Sequence, residues 1–217
     1  MIIFLFGPDD YRREQRKKYY ITEFKKKYSG LGVGYFDLAD STRASSEPQS
    51  NSSRQAGPAT GSTLDELKAF LRGQSLFEEK KLAILENLYE TVRPGSPQAD
   101  EKKLAEVLKP IADDLATIVI VSENKKLAGA LKFLADLKKP SLAEEFEHLA
   151  GAERATFVRK EAKACRVALS PDALAHLAEV YAKNTWGLVT ELEKISGLGK
   201  REISKANLEA LGLETLP

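Results

Sequence analysis

The chain has 217 residues, 42% of them hydrophobic and 30% charged, which is enough for one large domain or two modest ones with separate cores. Its 33 Lys and Arg nearly balance its 32 Asp and Glu, so the formal net charge of +1 excludes a global field that attracts nucleic acid or an anionic membrane. A single cysteine excludes an internal disulfide, and no apolar run approaches a membrane span, so we expect a cytoplasmic protein.

The first part of the chain alternates predicted strands with predicted helices. A continuous apolar run at residues 2–6 ends at Gly7-Pro8 and predicts a strand buried on both faces. Asp9 or Asp10 can cap the helix that follows, which we expect to end near Tyr28. This alternation predicts an α/β domain at residues 1–149, with a mainly parallel sheet covered on both sides. The other predicted strands are 33–38, 82–85, 116–121 and 143–146, and the other helical patterns are 63–72, 100–111 and 127–138.

The strand signals end after His148, and the rest of the chain shows helical spacing. Three stretches, at residues 153–165, 171–183 and 186–196, repeat apolar residues every three or four positions. Ser170-Pro171 is a typical helix start, and a short last helix is predicted from Ser204. We therefore expect a small helical bundle as the second domain, at residues 150–217.

Residues 40–62 fit neither domain. They are rich in Ser, Pro, Gly, Asn and Gln and almost free of large apolar side chains. Such a composition cannot bury enough surface to offset the entropy of ordering it. We expect a flexible insert that serves as a passive linker.

The turn GPDDYRRE after the first strand does not have the composition of a nucleotide site. A phosphate loop needs glycines whose amides point inward, a lysine and a magnesium-binding hydroxyl. Here Pro8 has no amide to donate, and Asp9-Asp10 would repel phosphate. Ser122-Glu123, after the predicted strand at 116–121, is a weak candidate for a magnesium-binding acid. We expect no ATP hydrolysis.

Other candidate sites are equally weak. His148 and His176 lie in different domains without partners at metal-ligand spacing, so no metal and no cofactor are predicted. Glu144, Glu145 and Glu147 are expected to form a solvated charge run, and Cys165 a packed thiol. The first helix carries eight cations that could meet phosphates, but a solvated face is the favoured interpretation. These cations are Arg12, Arg13, Arg16, Lys17, Lys18, Lys25, Lys26 and Lys27.

The segment GQSLFEEKKLAILENL puts an apolar pair, Leu76 and Phe77, in a polar turn before a predicted strand. Other distinctive pieces are FLFGPDDY, TIVIVSENKKL, EEFEHL and ALAHLAEVYAKNTWGLVTELEKI, in that order along the chain. Together these pieces resemble the delta subunits of bacterial DNA polymerase III clamp loaders. The resemblance covers essentially the whole chain, although no single piece is highly specific.

This resemblance implies a fold, a function and a binding site. The first domain is expected to be an AAA+-like α/β domain without nucleotide binding, and the helical domain the small AAA+ lid. Delta subunits are non-catalytic, and an apolar wedge on them enters a pocket of the sliding clamp (beta) and favours its opening. The wedge falls on Leu76 and Phe77, with Gln74 and Ser75 shaping the turn. The alternative is that both apolar side chains pack into the domain's own core.

Two features depart from that family. The insert at residues 40–62 is unusually long and polar, and the third, collar domain of delta subunits would begin where the chain ends at Pro217. A fragment and a naturally reduced protein both remain open. The expected partners are the sliding clamp, other loader subunits less strongly, and DNA only indirectly, with no membrane. The alternative functions are a degenerate AAA+ NTPase and a DNA-binding adaptor of the replication machinery.

Overall fold

A computed structural model shows two compact units. The first contains Met1–Gly7 and Arg13–Glu145, and the second contains Pro8–Arg12 and Phe146–Pro217. The boundary predicted between residues 149 and 150 puts Pro8–Arg12 in the first domain, whereas these residues belong to the second unit. The structure describes residues 1–28, 30–39, 63–73, 80–92, 98–197 and 202–211.

The first unit is built on a five-stranded sheet in the order β2-β3-β4-β1-β5, and every strand pair in it is parallel. All five residues of the first strand are buried. Its alternate side chains Ile2 and Phe4 join the core cluster that also contains Leu67 and Leu104, whereas Ile3 and Leu5 are buried on the opposite face. The predicted parallel sheet, covered on both sides, is confirmed. The strands are β1 (Ile2–Phe6), β2 (Val33–Asp37), β3 (Lys81–Glu86), β4 (Thr117–Glu123) and β5 (Leu142–Glu145).

The helices lie close to their predicted positions. None in the described part of the chain is long and apolar enough to cross a membrane. In the first unit they are α1 (Asp10–Tyr28, whose first residues belong to the second unit), α2 (Thr63–Arg72), α3 (Tyr89–Val92) and α4 (Gln98–Leu108), followed by a 3-10 turn at Lys109–Ala112. In the second unit they are α5 (Gly151–Ala164), α6 (Pro171–Val180), α7 (Thr185–Ser196) and α8 (Lys205–Ala210).

The predicted helix at residues 127–138 is a 3-10 helix over Gly129–Asp136. Gly129 has a left-handed backbone with φ of 58°, which an α-helix cannot include. The N–H of Ala130 donates instead to the carboxylate of Glu101. Leu131 and Leu134 are fully buried, and their spacing of three residues suits the 3-10 repeat.

The second unit has its own apolar core, as the helical spacing predicted. Val158, Leu177, Leu192 and Leu208, one from each of the helices α5 to α8, all have no exposed surface. Side-chain caps start α6 and α8, because the Ser170 hydroxyl accepts from the Ala173 N–H at 3.4 Å and Ser204 forms a capping box with Asn207. The small helical bundle is thus present.

Candidate functional site

The predicted clamp-binding residues Gln74, Ser75, Leu76 and Phe77 lie outside the described residues, but the elements on both sides are described. Helix α2 ends before Gly73, whose N–H donates to the Ala69 carbonyl at 2.8 Å. Strand β3 begins at Lys81, whose N–H donates to the Ala116 carbonyl at 3.2 Å. Residues 74–79 therefore join the carboxyl end of α2 to the amino end of β3.

Both flanking elements are held by deep burial. Leu67 of α2 has no exposed surface, and Leu82, Ala83, Ile84 and Leu85 of β3 are at most 1% exposed. Complete burial of one such leucine or isoleucine contributes about 1.5–3 kcal/mol. A segment mounted between two such elements has fixed ends, which is what a binding site requires.

Two lysines that follow the segment are anchored by aromatic rings. The Lys81 Nζ donates to the Phe70 carbonyl at 2.8 Å and lies 5.6 Å from the centroid of the Phe70 ring. The Lys80 Nζ lies 5.5 Å from the centroid of the Tyr28 ring. Phe70 in turn packs against Phe36, with centroids 5.4 Å apart. These contacts hold the chain where it enters β3.

A groove of about 420 Å³ lies between α2 and α4, beside the last turn of α2. Leu71, Val107, Pro110 and Ile111 provide its apolar part. Its polar side chains are Lys68, Arg72, Lys103 and Glu106. The groove extends the surface at the end of α2 from which residues 74–79 depart.

The opposite edge of the sheet, where the parallel strands end, carries a row of acids. The register pairs Asp37 with Glu86, and it pairs Phe6 with both Glu123 and Glu145. Nucleotides usually bind at the carboxyl edge of parallel sheets, where their phosphates meet backbone amides. An acidic row at this edge repels phosphate unless cations cover it.

Cations of α1 bind two acids near these strand ends, Glu86 of β3 and Glu144 of β5. The Arg16 Nε donates to the Glu144 carboxylate at 2.8 Å, and Lys17, only 8% exposed, pairs with both Glu86 and Glu14. Burial disfavours the Lys17 ammonium, but its hydrogen bonds to the two carboxylates outweigh burial and raise the pKa of Lys17. Arg16 and Lys17 of the basic helix are therefore engaged inside the first unit.

The expectation of a solvated carboxylate run agrees with Glu145 and Glu147, which are exposed, but is wrong for Glu144, which is half-buried and bound by α1. Glu144 also accepts from the Tyr20 hydroxyl at 2.6 Å, and burial together with this carboxylate raises the pKa of Tyr20 to about 12. Glu145 pairs with Lys126 at 3.0 Å. Sequence spacing alone does not show these pairs, because 124 residues separate Tyr20 from Glu144.

Glu123, the weak candidate for a magnesium-binding acid, is buried at the end of β4. Its carboxylate accepts from the Leu88 N–H at 2.5 Å and from the Tyr89 N–H at 3.4 Å, at the start of α3. Burial raises the pKa of Glu123 to about 7, although both N–H donors act in the opposite direction. The carboxyl is thus engaged in holding the start of α3.

The Arg13 side chain donates hydrogen bonds at the carboxyl end of β1 in the first unit. Its Nη1 donates to the Gly7 carbonyl, and its Nε donates to the Ser122 hydroxyl at 3.1 Å. The Gly7 N–H donates to the Glu123 carbonyl at 3.1 Å. The polar groups at this strand end therefore satisfy one another.

In the second unit, the carboxylate of Asp9 is buried and bound by groups of the protein itself. Asp9 has no exposed surface, and its carboxylate accepts from the Arg12 N–H at 3.2 Å and the Thr185 hydroxyl at 2.7 Å. The Asp9 N–H donates to the Phe146 carbonyl at 3.0 Å, and the Asp10 N–H donates to the Pro8 carbonyl at 3.0 Å. These amides have internal acceptors, whereas a phosphate cradle presents amides to the ligand.

The remaining candidate residues form no metal or nucleophile site. Within the described ranges, no group of three or more His, Cys, Asp and Glu side chains can hold a metal ion. His148 and His176 each have one buried ring nitrogen without a hydrogen-bond partner. Cys165 is half-buried against the core of the second unit, and burial raises the pKa of its thiol.

One surface was not singled out from the sequence. Arg159, Lys163 and Arg166 line a groove at the end of α5. Their spacing was visible in the sequence, but only the folded structure shows that none of the described residues lining this groove is acidic. The hydrogen bond between Thr185 and Asp9 is likewise visible only in the folded structure, because 176 residues separate the two.

No protein-family model and no curated protein matches this sequence. Solved structures do match. The Bacillus subtilis DNA clamp loader delta protein has a TM-score of 0.51 and 18% identity, covering 97% of this chain and 57% of that chain. The Thermotoga maritima RuvB Holliday junction branch migration motor has a TM-score of 0.56 and 11% identity, covering 99% of this chain and 63% of that chain.

Domain III of the Thermotoga maritima replication initiation protein DnaA also matches, with a TM-score of 0.55, 14% identity and coverage of 100% of this chain and 85% of that one. At these identities the likeness shows the fold. The chain has an AAA+-type α/β fold, as its resemblance to delta subunits predicted. It spans less than two thirds of the clamp loader and branch migration proteins, at 57% and 63% of their lengths.

Proposed function

We propose that this chain is a delta-type clamp-loader subunit, which binds a sliding clamp through Leu76 and Phe77 and favours opening of the ring. The observation that carries the proposal is the mounting of residues 74–79 between α2 and β3, two elements anchored by Leu67 and Leu82–Leu85 in the core. The likeness of the fold to a DNA clamp loader delta protein supports it.

The energetics of an apolar wedge suit this function. Transfer of one leucine and one phenylalanine from water into a pocket contributes about 1.5–3 kcal/mol each, which is sufficient for a binding hot spot. A ligand shifts an equilibrium only by its difference in affinity for the two states. The wedge must therefore bind the open ring more tightly than the closed ring. The groove between α2 and α4, beside the last turn of α2, offers further contact area.

We propose further that the protein does not bind ATP. The turn after β1 supports this, because its glycine and aspartate amides already have acceptors and Asp9 buries a carboxylate there. The cations Arg13, Arg16 and Lys17, which would attract phosphates, are engaged with protein oxygens. The role is then that of a binding subunit, with other loader subunits as further partners.

A degenerate NTPase is the second candidate, because the fold is similar to that of a branch migration motor. Nucleotide titration separates it from a non-catalytic subunit. Saturable binding of ATP supports the NTPase, and its absence supports the subunit.

The experiment combines binding with a readout of ring opening. A sliding clamp carrying a fluorophore and a quencher on either side of one ring interface is titrated with the protein, without nucleotide. We expect co-elution on size exclusion and a gain of fluorescence as the interface opens. Co-elution without a fluorescence gain would make the protein a clamp binder that does not open the ring, and the absence of both would refute the proposal.

A further inference from the structure

A cationic groove on the second unit has no role in the function proposed above. Arg159 and Lys163 lie four residues apart on one face at the end of α5, and Arg166 follows the helix. All three line the groove and are exposed. The groove has a volume of about 420 Å³. None of the described residues that line it is acidic or aromatic, and its remaining lining consists of Ala162, Val167, Ala168, Leu169 and Leu174.

The charges of this groove are not neutralised inside the protein. Across the described ranges, the side chains of Arg159, Lys163 and Arg166 have neither an ion pair nor a hydrogen bond. Two acids on α5 and α6 bind other residues, since Glu161 accepts from the Tyr11 hydroxyl at 3.2 Å and Asp172 accepts from the Ser170 hydroxyl. The contrast with α1 is clear, because the cations of its first two turns are internally bound.

The backbone of Arg166 has a conformation that is unusual for a residue other than glycine. Its φ is 59°, the left-handed conformation in which helices favour glycine after their last turn. The Val167 N–H donates to the Ala162 carbonyl at 2.8 Å, and the Arg166 N–H donates to the Lys163 carbonyl at 3.1 Å, which closes the helix end. An arginine at a glycine position, with no internal partner for its guanidinium, indicates a role in binding.

We propose that Arg159, Lys163 and Arg166 form a binding surface for the phosphate backbone of a nucleic-acid duplex. Four residues of α-helix, from Arg159 to Lys163, span about 6 Å, which is about twice the roughly 3.4 Å of duplex axis that each phosphate of one strand occupies. The absence of aromatic side chains from the described lining argues against stacking of unpaired bases. Contacts to phosphate alone make the binding independent of base sequence.

The test is a salt titration with a labelled duplex of about 20 base pairs, followed by fluorescence anisotropy between about 50 and 200 mM KCl. For the triple variant Arg159→Ala, Lys163→Ala, Arg166→Ala, we expect at least tenfold weaker binding at low salt. Each phosphate contact contributes about 0.9 to the slope of log K against log salt, so the slope should fall by roughly 2–3. The single variant Arg166→Gly should lower the slope by about 1 while its melting temperature stays equal or rises.

The matched control is the triple variant Lys25→Ala, Lys26→Ala, Lys27→Ala on α1, which makes the same change of net charge at exposed positions of the first unit. We expect it to keep the slope of the wild type. An equal loss in both triple variants, a loss confined to the α1 variant, or a wild type without salt-dependent binding would overturn the proposal. The Arg166→Gly variant retains a folded chain, so a misfolded triple variant leaves the test intact.

Discussion

The carboxylate of Asp9 accepts a hydrogen bond from the Thr185 hydroxyl at 2.7 Å, across 176 residues of sequence. The two side chains are 0% and 6% exposed. This contact ties the first turn of α1 to the start of α7 within the second unit. The helical unit therefore depends on a residue near the amino terminus, and the turn that holds Asp9 is structural.

Replacement of Thr185 by valine tests this contact. Valine keeps the shape but removes the hydroxyl, so a buried carboxylate loses a donor, and we expect a loss of about 1.5–3 kcal/mol in the free energy of unfolding. The measurement is urea denaturation followed by circular dichroism. Thr156→Val on α5 is the control, because the exposed Thr156 hydroxyl donates to the Ala152 carbonyl and its loss should change stability by less than about 0.5 kcal/mol. Equal effects of the two variants would contradict the account.

The pKa of Glu123 predicts a dependence of stability on pH. Burial raises this pKa from 4.5 to about 7, so between these values the folded protein holds a proton that the unfolded chain has released. The free energy of unfolding should therefore fall as the pH rises through this window, by about 3 kcal/mol from this group. Glu123→Gln, which does not titrate, should show a smaller fall between about pH 5 and 8 in urea denaturation. Parallel pH profiles of the two proteins would show that Glu123 does not titrate in this way.

Much of the fold could be predicted because its signals are local. Residues 2–6 and 82–85 are continuous apolar runs, and both form fully buried strands. The cap at Ser170 and the short helix after Ser204 were equally visible, since each depends on neighbouring residues. The 3-10 helix at Gly129–Asp136 could not be distinguished from an α-helix in the sequence, because both kinds of helix show apolar residues at a spacing of three.

The contacts of the candidate sites required the folded chain. Lys17 with Glu86, Arg13 with Ser122 and Asp9 with Thr185 are separated by 69, 109 and 176 residues. The eight cations of the first helix were expected to face solvent, yet the first ones hold acids and carbonyls at strand ends. A sequence pattern gives the charge of a side chain but not its partner.

Calorimetric titration with MgATP should give no saturable heat. The amides and cations around the turn after β1 already have protein partners, so a phosphate would have to displace them. The control is the Arg13→Ala variant, which removes the side chain from the Gly7 carbonyl and should not bind ATP either. Micromolar binding to the wild type that the Arg13→Ala variant loses would show a functional nucleotide site.

Residues 40–62 should be dispensable for folding, although they lie outside the described residues. The described end before the insert is independently held, since Asp37 accepts from the Ala39 N–H at 2.9 Å and from the Asn87 side chain at 2.7 Å. Replacement of residues 40–62 by a short Gly/Ser loop should leave the melting temperature nearly unchanged. A fall of more than about 5 °C, which is roughly 1 kcal/mol for a small domain, would mean that the insert packs on the fold.

Leu76 and Phe77 are the central residues of the proposed function, and the alternative is that they pack into the core. As a wedge, they should be replaceable by alanine with little loss of stability. As core residues, the same replacement should cost several kcal/mol through cavity formation. The control is Tyr35→Ala with Leu115→Ala, an aromatic and a leucine that are 63% and 57% exposed on the same unit. This control accounts for non-specific adhesion of exposed apolar groups.

The most direct measurement is the Kd for the sliding clamp of the wild type, the Leu76→Ala/Phe77→Ala variant and the control, each with a thermal melt. The account predicts about a hundredfold or greater loss of affinity for the Leu76→Ala/Phe77→Ala variant alone, with all three proteins melting at similar temperatures. Unchanged affinity of that variant, an equal loss in the control, or a variant that simply unfolds would contradict the assignment of the wedge.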